Sequence, residues 1–255
     1  MWQFVLNMRP DGLVFTDITG RTLAARDLAG VTGKVEWAAV GSESVPAEAR
    51  QLHQKARIAG TRGDSHRALE LLERARALAP GWPYPVYDAA RTHLLQGDAV
   101  AAEKLYAEVD RLAPRGFLAC QTALYGLRRE RAGELPAGFC RTFATLEWLD
   151  DLPRKKAILQ GIVEKYPGFA PAWKELASLL EDADARWEAI SRGLDGRPDG
   201  ETRGALLIYK ALILLQRGER REAVRLLGVL ALNPVSTLAT EAEAKATLAR
   251  VLGQQ

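Results

Sequence analysis

Residues 47–80, AEARQLHQKARIAGTRGDSHRALELLERARALAP, and residues 81–114, GWPYPVYDAARTHLLQGDAVAAEKLYAEVDRLAP, end in the same tripeptide and share one 34-residue register. Leu78-Ala79-Pro80 returns as Leu112-Ala113-Pro114, Gly63-Asp64 as Gly97-Asp98, Ala56 as Ala90, and Ala68 as Ala102. A fixed period of this length is the mark of stacked helical hairpins. The pattern therefore predicts a solenoid whose purpose is to hold a partner, with little provision for chemistry.

Working outward, Pro46 is placed to open a helix, and Leu52, Ala56 and Ala59 recur at three- or four-residue spacing until Gly60 and Gly63 stop it. The second helix, 65–78, carries Ala68, Leu71, Leu72 and Ala75 on one stripe. The same pair follows at 83–96 and 99–113, and the short turns make neighbours antiparallel. Downstream the period loosens while the helical pattern persists, over 116–132, 136–149, 152–166, 170–181, 184–195, 202–216 and 219–232. Glycine and proline mark the breaks, from Gly133 and Pro136 to Gly218 and Pro234. Thr240 to Leu252 reads as an amphipathic lid over the last apolar face, with Glu241, Glu243 and Lys245 on its wet side.

Residues 1–44 differ in texture from 45–255. Phe4-Val5-Leu6 and Leu13-Val14-Phe15 flank Arg9-Pro10-Asp11-Gly12, where proline presets one turn dihedral and glycine accepts the positive φ of a hairpin. Further short runs at Thr22-Leu23 and Val35-Glu36-Trp37 extend this to a small N-terminal β meander. So small a sheet cannot bury enough by itself, and it is expected to cap the open end of the solenoid.

Composition excludes more than it selects. With 255 residues, 47% hydrophobic, 26% charged and a net charge of +3, the chain is ordinary globular material. Its positive residues are interleaved with Asp and Glu and form no concentrated stripe, which argues against a nucleic-acid surface. No window approaches the ~20 apolar residues of a membrane span, and the N-terminus lacks the layout of a signal peptide, so the expected location is the cytoplasm. Cys120 and Cys140 match no zinc spacing and read as buried, reduced thiols. His53, His66 and His93 are the only histidines; none lies in a zinc motif, and neither a phosphate loop nor a nucleophile elbow is present. No cofactor or metal is expected. The acidic residues at Asp150-Asp151, Glu181-Asp182 and Asp184 read as helix caps.

At Ala56, Gly63-Asp64, Ala68, Ala75 and Pro80, and again at Ala90, Gly97-Asp98, Ala102, Tyr106 and Pro114, the chain resembles the tetratricopeptide repeat (TPR) family. Ala172 to Leu180 with Trp187 to Leu194, and Gly204 to Leu232, look like weaker copies, while 115–167 offers three helices where a repeat supplies two. The resemblance implies a mainly α fold, a right-handed α-solenoid of TPR-like hairpins. Its concave groove, lined by the first helix of each hairpin, would bind an extended or helical peptide. In that register the groove-facing residues are Arg50, His53 and Arg57 in the first hairpin and Tyr84, Tyr87, Asp88 and Arg91 in the second. Arg57 and Arg91 are equivalent, one repeat apart, and together suit an acidic segment. Arg57 and Thr61 stand where the carboxylate clamp of chaperone-binding members needs asparagine, so that specificity is not expected. The cluster Trp82-Pro83-Tyr84-Pro85-Val86-Tyr87 suits either packing or binding. The expected function is that of a cytoplasmic, bacterial, non-enzymatic scaffold or adaptor binding another protein. A dedicated chaperone or immunity-type antagonist of one cognate protein is the alternative, and an enzyme with a site assembled across helices a third.

Overall fold

The computed structural model of the chain describes residues 45–252 and, before them, the backbone of three short strands. Twelve helices are present among the described residues. The first hairpin is α1 (Ala47–Thr61) with α2 (Ser65–Leu78), and the second is α3 (Pro83–Gln96) with α4 (Ala99–Leu112). They repeat one another in dihedral detail. Gly63 and Gly97 take φ of +82° and +89°, a conformation glycine reaches without a Cβ clash. The aspartate after each caps the next helix: Asp64 accepts from Arg67 N–H and Asp98 from Ala101 N–H, both at 3.0 Å. The exits match as well, with Ala79 at φ −142°, ψ 71° and Ala113 at φ −137°, ψ 70°. Proline follows both, where it cannot continue a helix.

The small residues are buried as the period requires. Ala56, Ala68, Ala90 and Ala102 are all at most 2% exposed, which lets the paired helices approach closely. Around them Leu52, Leu71, Leu72 and Ala75 fill the first hairpin; each fully buried leucine contributes about 1.5–3 kcal/mol. Tyr87, Tyr106, Val109 and Phe117 continue the core beyond the second.

The three helices expected in 115–167 are present with altered bounds: α5 (Cys120–Arg131), α6 (Phe139–Thr145) and α7 (Leu152–Lys165). α5 starts four residues later than expected because Gly116 and Leu118 both take positive φ, +88° and +54°. The helix expected over 136–149 is shorter and runs into a 3-10 turn at Leu146–Trp148. Thr142 and Thr145 bond back to the carbonyls of Gly138 and Thr142, which competes with regular helix. The Glu130 carboxylate fixes the start of α6, accepting Gly138 N–H at 2.6 Å and Cys140 N–H at 2.9 Å.

The remaining helices are α8 (Ala170–Leu179), α9 (Ala183–Asp195), α10 (Gly200–Gln216), α11 (Arg220–Leu232) and α12 (Leu238–Leu252). Asp151 and Asp182 cap α7 and α9 as expected, accepting from Arg154 N–H and Ala185 N–H, whereas Asp184 pairs with Arg217. Gly218, at φ +79°, repeats the glycine turn between α10 and α11, with Ala211 and Ala223 fully buried in these two helices.

The stack does not remain open. The Arg115 carbonyl accepts the N–H of Leu238 at 2.8 Å. The Arg115 guanidinium donates twice to the Ser236 carbonyl and once to Glu241. Glu201 on α10 accepts the N–H groups of Phe117 and Thr122, both at 3.1 Å, so a carboxylate from the C-terminal part caps α5. The Tyr125 hydroxyl lies within 3.2 Å of the carbonyls of Gly168 and Gly196. Glu241, expected on the wet side of the lid, is turned instead toward Arg115. The fold is therefore a TPR-like helical stack whose middle and C-terminal parts are stitched together.

In the N-terminal segment β1 (Leu13–Asp17) lies between β2 (Thr22–Leu23) and β3 (Val35–Ala39), pairing antiparallel with both. The order β2-β1-β3 is not the sequential order of a meander. The strand expected at Phe4-Val5-Leu6 lies outside the described residues. No helix among the described residues is long and apolar enough to cross a membrane.

Candidate functional site

α1 and α3, the first helices of the two hairpins, meet through a polar pair. His53 Nε2 lies 2.8 Å from Asp88 Oδ2, and the imidazole, 8% exposed, is packed edge-on by Trp82 and Tyr84 at centroid distances of 5.0 and 5.9 Å. Trp82 also joins Val45, Ala49 and Ala79, and Tyr84 stands against Phe117 at 4.7 Å. Burial pushes the Tyr84 hydroxyl up to about 12, against the pull of Arg57. The aromatic and proline cluster that opens α3 is thus packing material that fixes one hairpin to the next.

On this platform the two equivalent arginines differ. The Arg57 side chain is 64% exposed, and its Nε reaches Asp88 Oδ2 only at 4.0 Å. Arg91, 24% exposed, donates to Glu147 Oε2 at 2.6 Å and lies 4.9 Å from the centre of the Trp148 ring. Burial opposes the charge on Arg91, but the hydrogen bond and attraction of Glu147 outweigh it and hold its pKa above the ordinary value. The two guanidinium groups therefore do not form an open ladder. Arg57 is displayed, and Arg91 is already engaged by a segment 56 residues away.

Arg50 is exposed on α1. Tyr87 corrects the sequence reading: it is 5% exposed and packs against Tyr106 and Phe117, so it belongs to the core and offers no surface. Burial raises its hydroxyl to about 12. The period that placed Tyr87 on the groove located the helix but not the inward turn of that position. Glu147 and Trp148 were missed altogether, because nothing in the local sequence announces a contact across 56 residues.

Cavities of about 380 Å³ and 440 Å³ lie between α2, α3 and α4 and between α5 and the start of α10, and neither is lined by His53 or Asp88. Among the described residues no group of three or more His, Cys, Asp or Glu is arranged to hold a metal ion. Cys120 and Cys140 are buried free thiols. The Cys120 thiol donates to the Tyr106 carbonyl, and burial pushes both thiols upward, away from the thiolate form.

No family model and no curated protein matches the chain. Solved structures similar to it include the flexible tandem repeat domain of a bacterial cellulose synthase component, 19% identical with a TM-score of 0.49, covering 77% of this chain and 98% of that one. MamA from Desulfovibrio magneticus is 15% identical with a TM-score of 0.35, over 83% and 99% of the two chains. A thermophilic TPR protein of Thermus thermophilus is 22% identical with a TM-score of 0.33, over 78% and 99%. At such values the likeness adds no weight, and the TPR-like character of the fold rests on the repeated caps, exits and alanines of its own hairpins.

Proposed function

We propose that the protein is a non-enzymatic, cytoplasmic scaffold that binds an acidic segment of a partner polypeptide on the face shared by α1 and α3. The single observation that carries this reading is the unequal state of the two equivalent arginines. Arg91 accommodates the Glu147 carboxylate at 2.6 Å, so this repeat position suits an acidic side chain, while Arg57 stands one repeat earlier with only a 4.0 Å contact to Asp88. His53, Asp88, Trp82 and Tyr84 hold the backbone of both helices in place, so little ordering cost falls on binding. Residues 45–255 form the binding unit in this proposal, and residues 1–44 a cap at its N-terminal end.

The test is a comparison of two affinity purifications from the native host, one with the natural chain and one with Arg57→Glu. Charge reversal on so exposed a side chain leaves folding intact. It should deplete an acidic partner from the co-eluting proteins and weaken the salt dependence of whatever remains bound. A partner retained at equal yield and equal salt sensitivity would place the binding face elsewhere. One stoichiometric companion would indicate a chaperone-like role for one cognate protein, and several would indicate an adaptor.

A further inference from the structure

The chain lays one of its own acidic and aromatic segments against α3, at Arg91. The 3-10 turn Leu146–Trp148 follows α6 and is anchored by Leu146, which is buried with Leu135, Leu159 and Phe169. The next two side chains leave that core and go to Arg91. Glu147 Oε2 accepts from Arg91 at 2.6 Å, and the guanidinium lies over the Trp148 ring at 4.9 Å. Both nevertheless stay open to water: the Glu147 side chain is 57% exposed and Trp148 is 54% exposed. An indole that served the core would be buried. This one has its face under the Arg91 guanidinium and about half its surface in solvent.

We infer that Glu147 and Trp148 are an internal occupant of the partner surface, and that the partner they stand in for presents a carboxylate followed directly by an aromatic ring to Arg91. This rests on the α1–α3 face being the partner surface and adds what that partner carries. An exposed ion pair and an exposed cation–π contact are each weak, so a free segment bearing the same two groups can displace them. Displacement moves two side chains and leaves Leu146 in place. A free segment also gains what the internal turn lacks: Arg57, one repeat away on the same face and exposed. The arrangement raises the threshold for binding without closing the surface, because a competitor must displace a tethered ligand whose local concentration is high.

The probe is a labelled synthetic peptide of residues 145–151, TLEWLDD, titrated by fluorescence anisotropy into three full-length proteins. These are the natural chain, Glu147→Ala with Trp148→Ala, and the same double variant carrying Arg91→Ala. Removing the internal pair should tighten peptide binding by roughly three- to thirtyfold, and Arg91→Ala should cancel the gain. Equal affinity for the natural chain and the double variant, or a gain that survives Arg91→Ala, would overturn the inference. Should the double variant melt early, Glu147→Gln, which keeps the side-chain shape, carries the test with a smaller gain. The surface reading is judged separately by Arg57→Glu against the co-purified partner. Loss there without a peptide gain sinks the internal occupant alone, whereas an unaffected partner sinks the surface reading and the inference that rests on it, whatever the peptide does.

Discussion

Residues 47–112 and residues 115–165 are both helical, yet the second region leans on distant partners as well as local ones. In the first region the second helix of each hairpin is capped from within three residues, Asp64 taking the N–H of Arg67 and Asp98 that of Ala101. In the second, the start of α5 is fixed by Glu201, 84 and 79 residues away from the N–H groups it accepts, and Arg115 is tied to Ser236 and Glu241, 121 and 126 residues away. A simple solenoid has only nearest-neighbour contacts and gains stability repeat by repeat. Here the two N-terminal hairpins follow that rule apart from the reach of Arg91 to Glu147. The remainder is a closed assembly in which the middle and the end of the chain stabilise each other.

The sharpest way to break the comparison is to attack the repeated pair where it is tightest. Ala102→Arg forces a long charged side chain into a site with no exposed surface and should destabilise the protein by more than ~3 kcal/mol. Urea unfolding measures it, and an unchanged midpoint would mean that the hairpin crossing tolerates bulk and that the alanine period has no packing role. In the closed region the test is Glu201. Glu201→Ala leaves the N–H groups of Phe117 and Thr122 without their acceptor, a loss of about 1–3 kcal/mol.

Glu201 also sets a pH signature. Burial, with Asp199 as a neighbouring charge, raises its pKa to about 8, against the opposing pull of the two backbone N–H groups. The native state thus binds more protons than the unfolded chain between roughly pH 4.3 and the folded value. Its contribution is fully present below that window and is lost as pH rises through about 8. Glu201→Gln, which gives up one acceptor for an NH2 donor but has no charge to gain, should lack this pH dependence, so the natural chain should lose more than about 1 kcal/mol relative to it between pH 5 and pH 9. Parallel stability curves for the two proteins across this range would show that the carboxyl is ionised in the fold throughout.

What could be read from the sequence follows the same division. The hairpins of 47–112, their glycine turns, their buried alanines and the aspartate caps all depend on residues a few positions apart, and a period exposes them. The late start of α5 at Cys120, the shortening of α6 and the turning of Glu241 toward Arg115 depend on partners dozens of residues away. Periodicity is silent there. The site divides likewise: the period placed His53, Arg57 and Asp88 on successive repeats as groove-facing residues, whereas His53 is 8% exposed and is bonded to Asp88. Tyr87 was placed on the wrong side of its helix, because an amphipathic stripe fixes a face only to about a third of a turn.

A smaller effect measures how independent the first two hairpins are. Asp64→Ala and Asp98→Ala remove equivalent caps with equal 3.0 Å geometry, so each should cost about 1 kcal/mol, within ~0.5 kcal/mol of the other, and the double variant should be additive. Departure from additivity, read from the urea midpoints, would mean that the two turns communicate through the stack.

The smallest effect separates the two arginines. Arg57→Ala removes an exposed side chain with a single long contact and should change stability by less than about 0.5 kcal/mol. Arg91→Ala removes both the bond to Glu147 and the contact with the Trp148 ring, and should cost about 0.5–1.5 kcal/mol. Repeat symmetry alone predicts equal costs. A measurable excess for Arg91 that vanishes in a Glu147→Ala, Trp148→Ala background would locate it in the reach of α6 and its 3-10 turn back onto α3.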